Sequence, residues 1–275
     1  MSETSDGGQT WKVQGRVPGT VTSLDFLNSQ RGYAATTNSA TETWRLYATR
    51  NGGASWVQVG PVEYTAATPG PAGYTAGQVF GPWINRDGQG VLVGALYATA
   101  AQAAVASPSA YVWHTDDGGA RWTEGAPVTD GSLDVVLAAS FLRSNLDQGI
   151  VSLIEGPKVV ELESTSDGGA HWTQLPTSLE LESLAWAGPD DLLGWTPYGG
   201  PVATSADLWV SSDGGQRWVP CTTPPEPPGD AVFAIASLSA SNSREAWFLD
   251  AADGAVYRTD DLGRIWRAAG ASDIA

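Results

Sequence analysis

The chain has one cysteine, Cys221, among 275 residues. One thiol builds neither an internal disulfide nor a cysteine-based zinc site, and by itself it says nothing about compartment. Basic residues are also scarce: 14 Lys and Arg stand against 30 Asp and Glu, a formal charge of −16. Such a surface repels phosphate backbones and anionic membranes, and no run of Lys or Arg offsets it locally. Nucleic-acid binding is therefore not expected. No apolar run approaches the ~20 residues of a membrane helix, so direct membrane insertion by this chain is not expected either. No secretory leader is expected in the stretch that begins Met1-Ser2-Glu3-Thr4. The helical period is nowhere sustained. With 42% apolar and only 16% charged residues, however, the chain has ample material for a core.

What is abundant is glycine (33), tryptophan (13) and self-similarity. One phrase recurs six times, in the frame [ST]-x-[DN]-x-G-x-x-W. Its fixed residues are Asp6, Gly8 and Trp11; Asn51, Gly53 and Trp56; Asp117, Gly119 and Trp122; Asp167, Gly169 and Trp172; Asp213, Gly215 and Trp218; and Asp261, Gly263 and Trp266. The tryptophans are 45 to 66 residues apart. The chemistry of the phrase is that of a tight hairpin. An Asp or Asn oxygen is expected to accept from the backbone N–H two residues on, the glycine to take a positive φ, and the Ser or Thr hydroxyl to close a second local bond. The Trp then returns on the next strand and is expected to bury a large ring between neighbours. Four residues before the Asp or Asn, the outgoing strand often carries another aromatic: Tyr47, Trp113, Trp209 and Tyr257, with Glu163 breaking the pattern. Six equivalent acidic turns cannot all be one active site, so their role is structural.

Two more strand-like runs precede each phrase, for example Val21–Phe26 and Gly32–Thr36, or Val232–Leu238 and Ala246–Leu249. Each repeat is thus four short antiparallel strands, A to D, with the boxed turn between C and D. Four strands per ~40–50 residues, repeated radially, make a β-propeller. The expected fold is all-β: a single propeller domain over residues 1–275 with five full blades, at about 20–60, 78–127, 132–176, 182–222 and 231–270, plus an incomplete half-blade at 1–15.

The motif resembles the Asp-box, or BNR, repeat of sialidases, xyloglucan-cleaving glycosidases, sortilin-type receptors and photosystem II assembly factors. Phe26…Gly32-Tyr33 and Tyr257-Arg-Thr-Asp-Asp-Leu-Gly…Trp266 look most like the photosystem II assembly factor-like repeat proteins. The resemblance covers nearly the whole chain. It implies the propeller fold and leaves the activity open, because these relatives differ in what they do. An extracytoplasmic location is favoured on the same ground.

The first unit lacks strands A and B. Either the chain starts mid-blade as a piece of a longer precursor, with a signal or anchor lost alongside, or the ring has a short first blade. In an up-and-down blade, A–B and C–D turns share one face. The A–B turns are short and the C–D turns are the boxes, so the long insertions 61–77, 98–110, 198–205 and 220–230 all fall on the opposite face. Long loops on a rigid scaffold are where function concentrates. That face would carry Glu63, Tyr64, Tyr74 and Tyr198, aromatic rings with a carboxylate nearby, suited to a sugar or a peptide.

Catalytic sets do not assemble from the residue count. A sialidase needs clustered arginines, yet of the Arg residues only Arg16 and Arg45 approach the long-loop face. A glycosidase needs two facing carboxylates; Glu63, Asp25, Asp134, Glu182 and Asp230 are available, but nothing in the sequence fixes a separation. His114 and His171 flank boxes of different blades and do not meet on a metal or in a triad. The expectation is a monomeric, non-catalytic binding or assembly scaffold with no cofactor and no metal, recognising a protein segment or a carbohydrate. The alternative is a glycoside hydrolase, sialidase-like or β-glucan-cleaving, with a carboxylate pair on the long-loop face.

Overall fold

A computed structural model describes residues 1–6, 10–38, 43–59, 74–98, 109–128, 135–155, 159–177, 179–197, 207–221, 235–250 and 254–269. Among them there is no helix, and twenty strands form five four-stranded antiparallel sheets in sequence order. The first blade is β3 (Thr20–Phe26), β4 (Gly32–Asn38), β5 (Thr43–Thr49) and β6 (Val57–Gln58). The second is β7 (Tyr74–Ile84), β8 (Gly90–Ala98), β9 (Ser109–Thr115) and β10 (Thr123–Pro127). The third is β11 (Val135–Phe141), β12 (Gly149–Glu155), β13 (Val159–Thr165) and β14 (Thr173–Gln174). The fourth is β15 (Ser183–Trp186), β16 (Leu192–Thr196), β17 (Asp207–Ser211) and β18 (Val219–Pro220). The fifth is β19 (Ile235–Ala240), β20 (Ala246–Asp250), β21 (Val256–Thr259) and β22 (Arg267–Ala268). The molecule is a β-propeller of five complete blades. Before them, β1 (Ser2–Glu3) and β2 (Lys12–Val13) form a two-stranded ribbon.

The core lies between blades rather than within them, which explains the apolar pattern. A strand in the middle of a blade is covered on both faces, so it reads as a continuous apolar run. All five residues of β16, Leu-Leu-Gly-Trp-Thr, are buried. On each strand C the two residues before the turn divide the work. The residue five before the Asp or Asn faces the next blade: Leu46 packs with Val79 and Leu92, Val112 with Val136, Leu162 with Leu184 and Leu208 with Phe248. The aromatic four before it turns the other way, so Trp113, Trp209 and Tyr257 sit against the preceding blade.

The boxes form their hairpins by a different bond pattern from the one the residue types imply. The side-chain oxygen accepts from the N–H four residues on, not two: Ser55 N–H to Asn51 (2.9 Å), Arg121 to Asp117 (2.8 Å), His171 to Asp167 (2.9 Å), Arg217 to Asp213 (2.8 Å) and Ile265 to Asp261 (2.9 Å). Two successive left-handed residues lengthen the turn and move the nearest free donor outward. They are Gly52 and Gly53 in the first blade (φ 66° and 87°) and Leu262 and Gly263 in the fifth (φ 58° and 81°). The buried Ser or Thr hydroxyl spans the loop. It donates to the acid and accepts from the second glycine, as Thr165 does with Asp167 (2.9 Å) and Gly169 N–H (2.8 Å). In the first box, Gly8 lies outside the described residues, while Thr10 N–H donates to Asp6 at 2.9 Å as in the other copies.

The tryptophans are less enclosed than expected. Of the six box tryptophans only Trp266 is buried; Trp11, Trp56, Trp122, Trp172 and Trp218 are half-buried. Each ring lies along its own turn rather than deep between sheets. Trp56, Trp122 and Trp218 donate through Nε1 to the carbonyl of the second box glycine at 3.0–3.1 Å. The ring therefore packs on the glycine, one edge remaining at the rim. An added Cβ on Gly169 would come within 2.6 Å of Val112 of the preceding blade, so this position needs glycine for space as well as for φ.

Candidate functional site

The five innermost strands, β3, β7, β11, β15 and β19, line a central channel of about 1070 Å³. The pleat turns alternate residues of these strands toward it, among them Ser23, Asp25, Ser237 and Ser239, and Arg143 and Glu182 join them from the strand ends. Asp25, on β3, and Glu182, just before β15, lie on this channel.

Asp25 is not free. Arg143, just after β11, reaches across from the third blade, where Nη2 meets Asp25 Oδ1 and Nη1 donates to the Phe26 carbonyl at 2.7 Å. Burial pulls the Arg143 guanidinium pKa down, and the Asp25 carboxylate is the charge that compensates its lost hydration. Sequence order puts Arg143 at the A–B turn between β11 and β12, where it lies, but gives no sign of its reach to Asp25. The only signal for its role was an acid aimed at a channel with no assigned counter-charge. Glu182 lies on the same channel, and burial pushes its pKa up. Its neighbour Glu180 is pushed up as well, by burial first and by the charge of Glu182 second. Glu180 is buried, with Oε2 unpaired, a burial that the Leu-Glu-Leu-Glu alternation did not reveal.

On one face, turns and boxes are stitched together. The N–H of the first left-handed residue of each box donates to the A–B turn of its own blade: Gly52 to Gln30, Gly118 to Gly88, Gly168 to Asp147, Gly214 to Asp190 and Leu262 to Arg244, all at 2.9–3.0 Å. Four of these turns are themselves closed by asparagine, as where Asn28 Oδ1 accepts from Gln30 and Arg31 N–H, while the fourth blade's turn closes by backbone bonds between Gly188 and Asp191. Four box acids, Asp6, Asp117, Asp167 and Asp261, are held below the usual carboxylate range. A hydrogen bond from His171 takes Asp167 down to about 2, and one from Thr10 does the same for Asp6. Their oxygens are spent on the turn, which is the physical ground for a structural role.

The opposite face is where the sequence placed its ligand residues. Glu63, Tyr64 and Tyr198 lie outside the described residues, as do the carboxylates Asp134 and Asp230. Tyr74 is the first residue of β7, paired with Ala98, at the end of the strand farthest from the stitched turns. Among the described residues, no three His, Cys, Asp or Glu side chains gather as metal ligands. His114 and His171 are apart in role: burial lowers the pKa of His114, and His171 Nδ1 contacts Asp167 Oδ2 at 2.7 Å. The Cys221 thiol is pushed up to about 12 by burial, with the charge of Asp261 adding to it, so it is no nucleophile.

No protein-family model matches the chain. The photosystem II assembly lipoprotein Ycf48 of Synechococcus sp. (strain CC9902) is 32% identical over 114 residues, which is 39% of this chain and 30% of that protein. A solved structure of YCF48 bound to D1 peptide superposes with a TM-score of 0.50 at 17% identity, covering 95% of this chain and 84% of that one. The chain is similar to Ycf48. The fold is shared more widely: the Penicillium chrysogenum alpha-L-arabinanase complexed with arabinobiose gives a TM-score of 0.59 at 11% identity over 98% of this chain and 86% of that one. An ancestral GH74 enzyme gives 0.54 at 16% over 97% of this chain and 35% of that one. At these identities the structural likeness concerns the fold alone.

Proposed function

We propose that the chain is a binding and assembly scaffold that recognises a segment of another protein and performs no chemistry on it. The observation that carries this reading is the sequence similarity to an assembly lipoprotein, Ycf48, in a chain with the same propeller fold. The geometry is in keeping with it. The stitched face is committed to its own turns, and the channel acid Asp25 is tied to Arg143, so the opposite face is the one left for a partner. There, Tyr64, Tyr74 and Tyr198 with Glu63 form the proposed contact set for an extended peptide. The acidic surface selects against nucleic acid, and an extracytoplasmic location fits a relative that is a lipoprotein. The test is a calorimetric titration with the D1 peptide, before and after residues 61–77 are cut to a tight turn. Binding by the parent protein and loss of binding with an unchanged melt in the shortened one support the reading. No binding by either form overturns it.

One observation favours a second reading, a glycoside hydrolase. Glu182, raised by burial, and Asp25, paired with Arg143, share one channel, and a glycosidase divides acid and base roles between two carboxyls. Turnover of sialosides, β-glucans or arabinan that disappears in Glu182→Gln would establish it in place of the scaffold.

A further inference from the structure

The two ends of the blades differ in charge. At the stitched end, the A–B turns and the boxes carry eight Arg among twelve Asp and Glu. At the opposite end the strands are joined by 14–19, 39–42, 59–73, 99–108, 128–134, 156–158, 175–182, 197–206, 221–234 and 251–255. These connections hold nine Asp and Glu and only two bases, Arg16 and Lys158. Most of the arginines thus offset acids at one end, while the other end is nearly all acid.

Within that acidic end one carboxylate is buried without a counter-charge. Glu180 is 5% exposed, and its Oε2 has no hydrogen-bond partner among the described residues. The backbone fixes its direction. Leu181 N–H donates to the Leu179 carbonyl at 3.1 Å, and both leucines pack into the apolar cluster between the third and fourth blades. Glu180, between them, turns to the other side, that of Glu182, whose charge acts on it. Glu182 is anchored by its own N–H, which donates to the Trp195 carbonyl at 2.9 Å, and it stands on the channel. The two described guanidiniums on the channel, Arg86 and Arg143, belong to A–B turns at its stitched end, and Arg143 is paired with Asp25. A buried carboxylate left unpaired is costly, and a cation brought by a ligand removes that cost.

We propose that the segment bound at the long-loop face is basic, and that one of its Lys or Arg side chains enters the channel mouth and pairs with Glu180 and Glu182. This rests on the reading that a partner segment binds at the long-loop face. The pair suits an ammonium or guanidinium better than a metal ion. Two carboxylates satisfy such a side chain, whereas among the described residues no third acidic, His or Cys ligand gathers with them. The acidic connections around the mouth attract the same segment from a distance and speed its encounter.

The probe is a phage-displayed library of random twelve-residue peptides selected on the full chain, the most enriched peptide then being synthesised and titrated by calorimetry. That peptide is expected to carry Lys or Arg, and to bind at least tenfold more weakly when this residue is replaced by norleucine. Glu180→Gln with Glu182→Gln should also weaken it at least tenfold. The melt should not fall, because a neutral amide is easier to bury than a charge. Asp116→Asn with Asp260→Asn removes as much charge from the stitched end and should change affinity less than twofold. This separates a site from general attraction to an acidic protein. Equal binding by the parent and the Gln pair overturns the proposal. An enriched peptide without Lys or Arg that loses binding when 61–77 is shortened overturns it too, but leaves the long-loop reading standing. No enriched peptide overturns both. Tenfold tighter binding by Lys158→Ala would mean that the cation on the pair is this chain's own, and the proposal falls. It falls as well if calcium, but not sodium at equal ionic strength, displaces the peptide, since the pair is then a metal site.

Discussion

The first and fifth blades are built on one plan in different surroundings. Both inner strands carry the same bulge, and both boxes close with a buried Thr hydroxyl, Thr49 and Thr259, accepting from glycine at 2.9 and 3.0 Å. Yet Leu238 is buried and Leu24 is not, and Trp266 is 2% exposed while Trp56 stays at the rim. The fifth blade stacks Phe248 on Tyr257 (4.7 Å between rings) and sets Trp266 against Phe248 at 4.9 Å. In the first, Phe26 meets Trp56 edge-on at the longer distance of 6.1 Å. The local hydrogen-bond pattern is thus a property of the repeat, whereas burial is a property of the neighbour.

That contrast can be broken by mutation, starting where it is largest. Trp266→Ala should cost about 3–5 kcal/mol in a denaturant titration and Trp56→Ala clearly less, because only the former empties a closed site. Equal losses would mean that the rims are as well packed as the core. Leu238→Ala should cost about 2–4 kcal/mol and Leu24→Ala under about 1 kcal/mol, since little of Leu24 leaves water on folding. The boxes should then behave alike in both blades. Thr259→Val and Thr49→Val each leave a buried glycine N–H without its acceptor, at about 1–2 kcal/mol apiece. A large difference between the two would show that the turn is not an independent unit.

Acid sharpens the comparison, because the first blade's box carries Asn51, which does not titrate. The folded-state pKa of Asp167 is depressed from 3.8 to about 2. Its contribution is therefore present above pH 3.8 and is lost as pH falls toward 2. Thermal melts at pH 5 and pH 2.5 should show the parent losing more on acidification than Asp167→Asn, and an equal loss would remove the linkage. The smallest effect is expected at Leu262, the one described non-glycine residue with positive φ. Leu262→Gly relieves about 1 kcal/mol of left-handed strain but gives up packing on the fourth and fifth blades, so its melt should move little in either direction.

Much of this was legible beforehand. The frame [ST]-x-[DN]-x-G-x-x-W marked the C–D turn of each of the five blades, and the apolar runs between them marked the four strands of each. Short A–B turns with boxed C–D turns implied a shared face, which the carbonyls of Gln30, Gly88, Asp147, Asp190 and Arg244 bear out. The bond from Asn51 or Asp167 to the fourth N–H was not legible. It depends on two consecutive left-handed residues, and in the fifth blade one of them is Leu262, a residue whose type gives no hint of that conformation. The Asp25–Arg143 pair was hidden for another reason. Its partners are 118 residues apart and come from blades that face each other across the channel.

Local chemistry set by residue type is therefore what the sequence determined: where the chain turns, how each box is hydrogen-bonded to its hydroxyl, and which strand residues are apolar. These depend on atoms within a few residues of one another. Only the tertiary structure decided which apolar residues are buried. Val21 and Ile235 occupy one position of one motif, and their exposures of 45% and 7% differ because, among the described residues, the fourth blade covers the second and no blade covers the first. Burial is removal of surface from water by a neighbour, and a propeller supplies that neighbour from the adjoining repeat.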